Sequence, residues 1–305
     1  MVAVVVLAVT LASCGHGPSK HSLGGRTTGE GIIRAVGVES QYANIIGQLG
    51  GNYVKVSSII NNPNSDPHSF EANPAIAQEI ASASLVVQNG LGYDSFANKM
   101  ESAVASATRK IIQVQAVLGL PNSTPNPHLW YDPSAMVALA RKITTSLVSL
   151  DPKYSQYFQS HLNTFLKSLG NWNSIIDQLS TKFSGAQVAT TEPVADYLLE
   201  AAHLDNRTPM SFQEAIMNGT DPSPQDLSSV ERLLTQHQVK ALVYNEQVTD
   251  SITSSLQSLA KTNHIPVVGV YEIMPLGKFN FQSWMVAETK AIYEALFRGV
   301  STEHL

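Results

Sequence analysis

Residues 153–183 read KYSQYFQSHLNTFLKSLGNWNSIIDQLSTKF, and the reading of this stretch decides the fold. Tyr157, Leu162, Phe165, Leu166, Leu169, Trp172, Ile175, Ile176 and Leu179 recur at helical spacing, which predicts one helix over the whole stretch. Only Gly170 interrupts it, at a cost of roughly 1 kcal/mol relative to Ala. At the α-helical rise such a helix is about 45 Å long, enough to run the length of a two-lobed protein. Upstream lie a strand from Ile32 (IIRAVGV), a helix from Gln41 to Leu49, strand VKVSSII, the turn-rich loop NNPNSDPHSF, a helix from Asn73 to Ala83, strand LVVQNG and a helix from Pro133 to Leu150. Downstream the alternation resumes: strand AQVATT, a helix from Val194, strand KALVYN, a helix from Ser251, strand IPVVGVYE and a helix from Phe281. Alternating strand and helix patterns, with strands that are apolar on both faces, indicate parallel sheets covered by helices. The expected fold is α/β with two lobes, 31–150 and 185–305, each a parallel-rich sheet flanked by helices. One long rigid helix at 151–184 joins them.

The composition excludes several functions. The chain of 305 residues is 43% hydrophobic and only 14% charged, with a net charge of −5, and about a quarter charged is usual. There is no Lys/Arg cluster of the kind a nucleic-acid-binding surface carries. The single cysteine, Cys14, can form neither an internal disulfide nor a thiolate metal cluster. Its position is informative. MVAVVVLAVTLASCG opens the chain, and the apolar run Val2–Leu11 has the length of a signal-peptide core, too short to span a bilayer. Leu11-Ala12-Ser13-Cys14 resembles a bacterial lipobox, although no Lys/Arg precedes the apolar run. The resemblance implies a cleaved signal peptide (1–14), a lipid on Cys14, and a protein tethered outside the cytoplasmic membrane, at the cell surface or in the periplasm. The Gly- and Ser-rich residues 15–30 then read as a flexible tether.

In open α/β sheets, ligands bind beyond the carboxyl ends of the strands. Four residues are placed there. His68, in Asp66-Pro67-His68, follows strand VKVSSII. His128, in Asn126-Pro127-His128-Leu129-Trp130, precedes the helix from Pro133. Glu192 follows AQVATT, and Glu272 ends IPVVGVYE. A preceding proline stiffens the backbone at both histidines. Two imidazoles and two carboxylates, two from each lobe, suit one divalent ion such as Zn2+ or Mn2+. Asn245-Glu246-Gln247, at the end of KALVYN, lies where Asn245 or Glu246 can hydrogen-bond a ligand. Trp130 can wall the site from solvent.

These strings, with the long linking helix, resemble the zinc/manganese receptors of ABC importers, the cluster A-I solute-binding proteins, over about 31–300. Pro-His-Leu-Trp followed by Asp132-Pro133 is the most specific element. The resemblance assigns the four ligands to His68, His128, Glu192 and Glu272. It also implies limited lobe closure and a membrane permease with its ATPase as partners. Glu272 stands where the family usually has Asp, and the His-rich loop of many zinc-specific members is missing before His128. Two carboxylates and the missing loop lean towards manganese or iron, although zinc accepts the same ligands. The expected function is capture and delivery of a divalent metal by a monomer. A metal-dependent hydrolase is one alternative, but no HExxH, Gly-x-Ser-x-Gly or Walker motif is present, so the chain is read as not an enzyme. A surface adhesin sharing the fold is the other.

Overall fold

The computed structural model describes Met1 and residues 31–62, 70, 73–275 and 277–305. Cys14, the tether and His68 lie outside the described residues. The first half comprises β1 (Ile33–Glu39), α1 (Ser40–Gly50), β2 (Val54–Ile60), α2 (Pro74–Ser82), β3 (Leu85–Gln88), α3 (Ser95–Ala103), β4 (Lys110–Gln113), α4 (Val114–Leu118) and α5 (Pro133–Leu150). The connector is α6 (Ser155–Ser168) and α7 (Gly170–Phe183). The second half comprises β5 (Gln187–Thr190), α8 (Asp196–Ala201), β6 (Asp205–Asn206), α9 (Met210–Met217), α10 (Pro224–Thr235), β7 (Leu242–Asn245), α11 (Ser251–Thr262), β8 (Val267–Val270) and α12 (Phe281–Arg298). None of the described helices is long and apolar enough to cross a membrane.

Each half builds a four-stranded, wholly parallel sheet, ordered β2-β1-β3-β4 and β6-β5-β7-β8. The two orders are the same, although no repeat is visible in the sequence. The strands are buried on both faces, and successive side chains serve different cores, as the pleat requires. Ile33, Ala35, Leu85, Val87, Val188, Val243, Val268 and Val270 enter one large core together with α1, α5, α7 and α12. Their alternates Val36, Val38 and Val86 pack against α2 and α3. On the other sheet Ala189, Leu242 and Val267 pack against α9, α10 and α11. The large core therefore runs through both sheets, and Gly31–Leu305 forms one compact unit.

Helix starts follow local chemistry. Asn73 and Asp132 cap α2 and α5 from just before a proline, and Asp250 and Asn280 form reciprocal capping boxes with Thr253 and Ser283. Each such cap is worth about 1 kcal/mol. The connector departs from the expected single helix. It is helical from Ser155 to Phe183 apart from Leu169 (φ −69°, ψ −15°), which separates α6 from α7. The break falls beside Gly170, the weakest helix former in the stretch, where an added Cβ would meet no neighbour. Trp172 of α7 donates its indole N–H to Thr289 of α12 at 2.9 Å, which ties the connector to the last helix.

Gly37 shows how tightly β1 sits on α1. A Cβ there would lie 2.1 Å from the backbone nitrogen of Ala43, and main-chain atoms cannot step aside. Gly37→Ala is expected to destabilise the fold by about 1–3 kcal/mol, read as a lower midpoint in denaturant at unchanged slope.

Candidate metal centre

The strand order of the second sheet reverses between β5 and β7, which opens the crevice where α/β sheets bind ligands. Asn245 is the last residue of β7, and Glu192 lies just beyond β5. The Asn245 side-chain amide donates to Glu192 Oε2 at 3.2 Å and, by a very short bond, to Glu272 Oε1. Its two N–H groups thus hold the two carboxylates together. Glu272 lies just past β8, where the backbone N–H groups of Glu272 and Ile273 both donate to Gln247 Oε1. Gln41 of α1 donates to the Glu272 carbonyl at 3.1 Å. All three side chains, Glu192, Asn245 and Glu272, are buried.

His128 comes from the first lobe and is fully buried. Asn126 Oδ1 accepts from its backbone N–H at 2.9 Å and lies 2.8 Å from Nδ1. The Asn126 amide donates to the Pro193 carbonyl at 2.8 Å, so its oxygen is the end turned to the ring. Nδ1 therefore carries a proton, and Nε2 faces the cleft, 3.4 Å from Glu272 Oε2. This is the tautomer and the orientation that a metal-ligating imidazole requires. Trp130 is buried edge-on to His128, with ring centroids 5.4 Å apart, and also meets Tyr93 at 5.2 Å and Tyr42 at 6.3 Å. This aromatic wall excludes water and strengthens every charge interaction behind it.

Tyr93 crosses the cleft and donates to Glu272 Oε2 at 2.9 Å. Burial and the charge of Glu272 push its hydroxyl well above the ordinary tyrosine range, so it remains a donor. Its loop turns through positive φ at Gly90 (88°), Leu91 (56°) and Gly92 (84°). The strain at Leu91 is held by Asp94, whose carboxylate accepts from the N–H groups of Asn89 (2.5 Å) and Gly90 (3.0 Å). Burial raises Asp94 to about 6 despite those donors. Burial, reinforced by Asp94, raises the neighbouring Glu39 well above the carboxylate range. Beside the site, a cavity of about 300 Å3 is lined by Leu91, Tyr93 and Pro127 from one lobe and by Glu214 and Met217 from the other.

The structure thus brings His128, Glu192, Glu272, Asn245 and Trp130 together. It does not bring Glu246 with them. The Glu246 carboxylate takes the opposite face from Asn245, as strand alternation dictates, and pairs with His304 Nδ1 at 2.7 Å. Gln247 is the residue of that loop which reaches the Glu272 segment. The described residues alone hold no group of three or more His, Cys, Asp or Glu that could bind an ion. His128 and Glu272 are neighbours, but Glu192 joins them through Asn245, and His68 lies outside the described residues. Asn126, Tyr93 and Gln41 were missed from the sequence. Asn126 was visible as the amide just before Pro-His, whereas Tyr93 and Gln41 reach the site only through tertiary packing.

Residues 38–295 match the family model described as zinc-uptake complex component A, periplasmic. Two curated relatives are similar over most of their length. The metal ABC transporter substrate-binding lipoprotein FimA of Streptococcus parasanguinis is 21% identical over 277 residues, covering 86% of this chain and 85% of that protein. The manganese ABC transporter substrate-binding lipoprotein PsaA of Streptococcus pneumoniae is 21% identical with the same coverage. Among solved structures, that of FpvC from Pseudomonas aeruginosa in complex with Mn2+ superposes with a TM-score of 0.73 at 20% identity, covering 88% of this chain and 99% of that one. The match to the family model spans most of the chain, and the chain belongs to the family of the periplasmic component A of zinc-uptake complexes.

Proposed function

We propose that the chain is the extracytoplasmic receptor of an ABC importer, lipid-anchored through Cys14, and that it captures one divalent transition-metal ion between its lobes. His68, His128, Glu192 and Glu272 hold the ion, with zinc or manganese as the cargo. A membrane permease and its ATPase receive it from the monomeric receptor, which performs no catalysis. The observation that carries this reading is the Asn126–His128–Glu272 arrangement, a fully buried imidazole whose tautomer is fixed so that Nε2 faces a carboxylate of the opposite lobe. Four protein ligands leave no position open for a reacting water, as a catalytic zinc site would need. FimA and PsaA, which are metal and manganese ABC transporter substrate-binding lipoproteins, support the same class of cargo. Binding weakens as pH falls through the histidine range, because the imidazoles must be neutral to ligate.

The test is titration of metal-stripped residues 31–305 with Zn2+ and Mn2+, beside the His68→Ala/His128→Ala double variant. One ion per chain is expected in the wild type and none in the variant. Unchanged binding in the variant would remove the four-ligand assignment, and no binding in the wild type would remove the receptor reading.

A further inference from the structure

Glu288 lies on α12, outside the proposed ligand set, and is fully buried. Its Oε1 accepts from the Trp284 indole N–H at 2.6 Å and from the backbone N–H of Tyr271 at 3.1 Å. Its Oε2 lies 2.5 Å from the Tyr131 hydroxyl. That hydroxyl also lies 2.8 Å from the Tyr271 carbonyl oxygen. Tyr131 stands in the short turn that begins after His128, and Tyr271 immediately precedes Glu272. The cluster therefore fastens the two ligand-bearing segments to one helix.

Proton counting decides the state of Glu288. Tyr131 has one hydroxyl hydrogen but two oxygen neighbours at hydrogen-bond distance, the Tyr271 carbonyl and Glu288 Oε2. With an ionised Glu288, one of those contacts is an oxygen–oxygen approach without a proton, buried and repulsive. With a proton on Oε2, both contacts are hydrogen bonds. Oε2–H donates to Tyr131, and Tyr131 donates to the Tyr271 carbonyl. Oε1 keeps its two donors in either case. We infer that Glu288 works as a neutral carboxylic acid that donates to Tyr131, and that this tie positions the His128 and Glu272 segments across the cleft. The link to metal affinity rests on the receptor reading, whereas the protonation of Glu288 does not.

The surroundings agree. No Lys, Arg or His among the described residues forms an ion pair with Glu288. The titratable groups facing it are Tyr131 and Tyr271, with Glu272 beyond Tyr131. Burial raises its carboxyl to about 8 against the favourable donors, and burial above all keeps the Tyr131 hydroxyl protonated. A carboxyl whose folded-state pKa is raised stabilises the fold fully only below its unfolded value. That contribution is lost as pH rises towards about 8.

Glu288→Gln is the discriminating variant, because an amide nitrogen at the Oε2 position donates to Tyr131 just as the acid does. Three readouts on residues 31–305 decide the matter. The infrared difference spectrum of wild type minus Glu288→Gln at pH about 6.5, below the raised carboxyl range, should show the C=O band of a protonated carboxyl. Thermal scans should show the wild type losing midpoint relative to Glu288→Gln as pH rises from about 5 to about 8, and levelling off above that. Mn2+ affinity at the lower pH should stay within about threefold in Glu288→Gln and fall by about tenfold or more in Glu288→Ala, the scale of lost support behind a metal ligand. An absent acid band, or Glu288→Gln weakening Mn2+ as much as Glu288→Ala, overturns the inference. If Glu288→Ala does not fold, the band and the Glu288→Gln affinity decide. If the wild type binds neither Mn2+ nor Zn2+, the receptor reading fails alone, and the band and the pH profile still test the neutral acid.

Discussion

Glu272→Gln should leave the metal-free protein as stable as the wild type while weakening metal binding by a hundredfold or so, the scale expected when a charged ligand becomes neutral. The substitution keeps the shape of the side chain. With the amide oxygen at Oε1, it still accepts from Asn245, and the amide nitrogen at Oε2 meets His128 Nε2 and the Tyr93 hydroxyl. The Tyr93 hydroxyl loses its acceptor, but a buried charge next to Glu192 is removed as well, and the two changes offset each other in the metal-free fold. The ion, in contrast, loses an anionic ligand, and the His128 lone pair gains an amide donor that competes for it. The checking measurement is the shift of thermal midpoint on adding metal. At a thousand times the wild-type Kd, binding adds about 4 kcal/mol of stability to the wild type and about 1.4 kcal/mol to a hundredfold weaker variant. Equal shifts in the two proteins would show that Glu272 does not hold the ion.

Trp130→Ala should have the opposite signature, with a large loss of stability whether or not metal is present. The indole is fully buried and packed by Tyr42, Tyr93, His128 and Tyr131. Truncating such a side chain costs about 3–5 kcal/mol through lost burial and the cavity left behind. In a chain of this size that is a fall in midpoint on the order of 10 °C. The indole N–H has no hydrogen-bond partner among the described residues, so Trp130→Phe deletes an unsatisfied donor along with some volume and should cost much less than Ala. A Phe variant as unstable as the Ala variant would mean that the indole N–H, and not ring volume, anchors the wall.

The residues that lie on strands and helices with strong patterns were legible in advance. VKVSSII, LVVQ and the helix Pro133–Leu150 carry their own signals in apolar runs, prolines and caps, and the structure places them where the pattern does. The short elements β6 and α9 did not stand out, because two and eight residues hold too few turns of any period to be separated from a loop. The connector was legible as helical but not as two pieces, since one glycine in a periodic run is tolerated far more often than it breaks a helix. At the site, strand-end reasoning found the carboxylates and Asn245. It failed at Glu246 because the rule selects a strand end and not a face, and alternation then sends neighbouring residues to opposite sides. Asn126 and Glu288 act by orienting other groups, and such roles have no spacing of their own in the chain.

The core shared by the two lobes also governs when the chain can fold. The N-terminal helix α1 is completed by the other end of the polypeptide: Asn44 accepts from the backbone N–H of Phe281 at 3.0 Å, Gln48 bonds Gln282 at 2.9 Å, and Ser40 donates to the carbonyl of Met274 at 3.0 Å. These partners are 234 to 237 residues apart in the chain. A nascent first half thus lacks these hydrogen-bond partners of α1. Its sheet is parallel throughout, so every strand pairing must also wait for a crossover. Closure of such distant contacts is slow. The contacts between α1 and the last helix can close only once that helix has been made, so the complete core forms after the whole polypeptide is available.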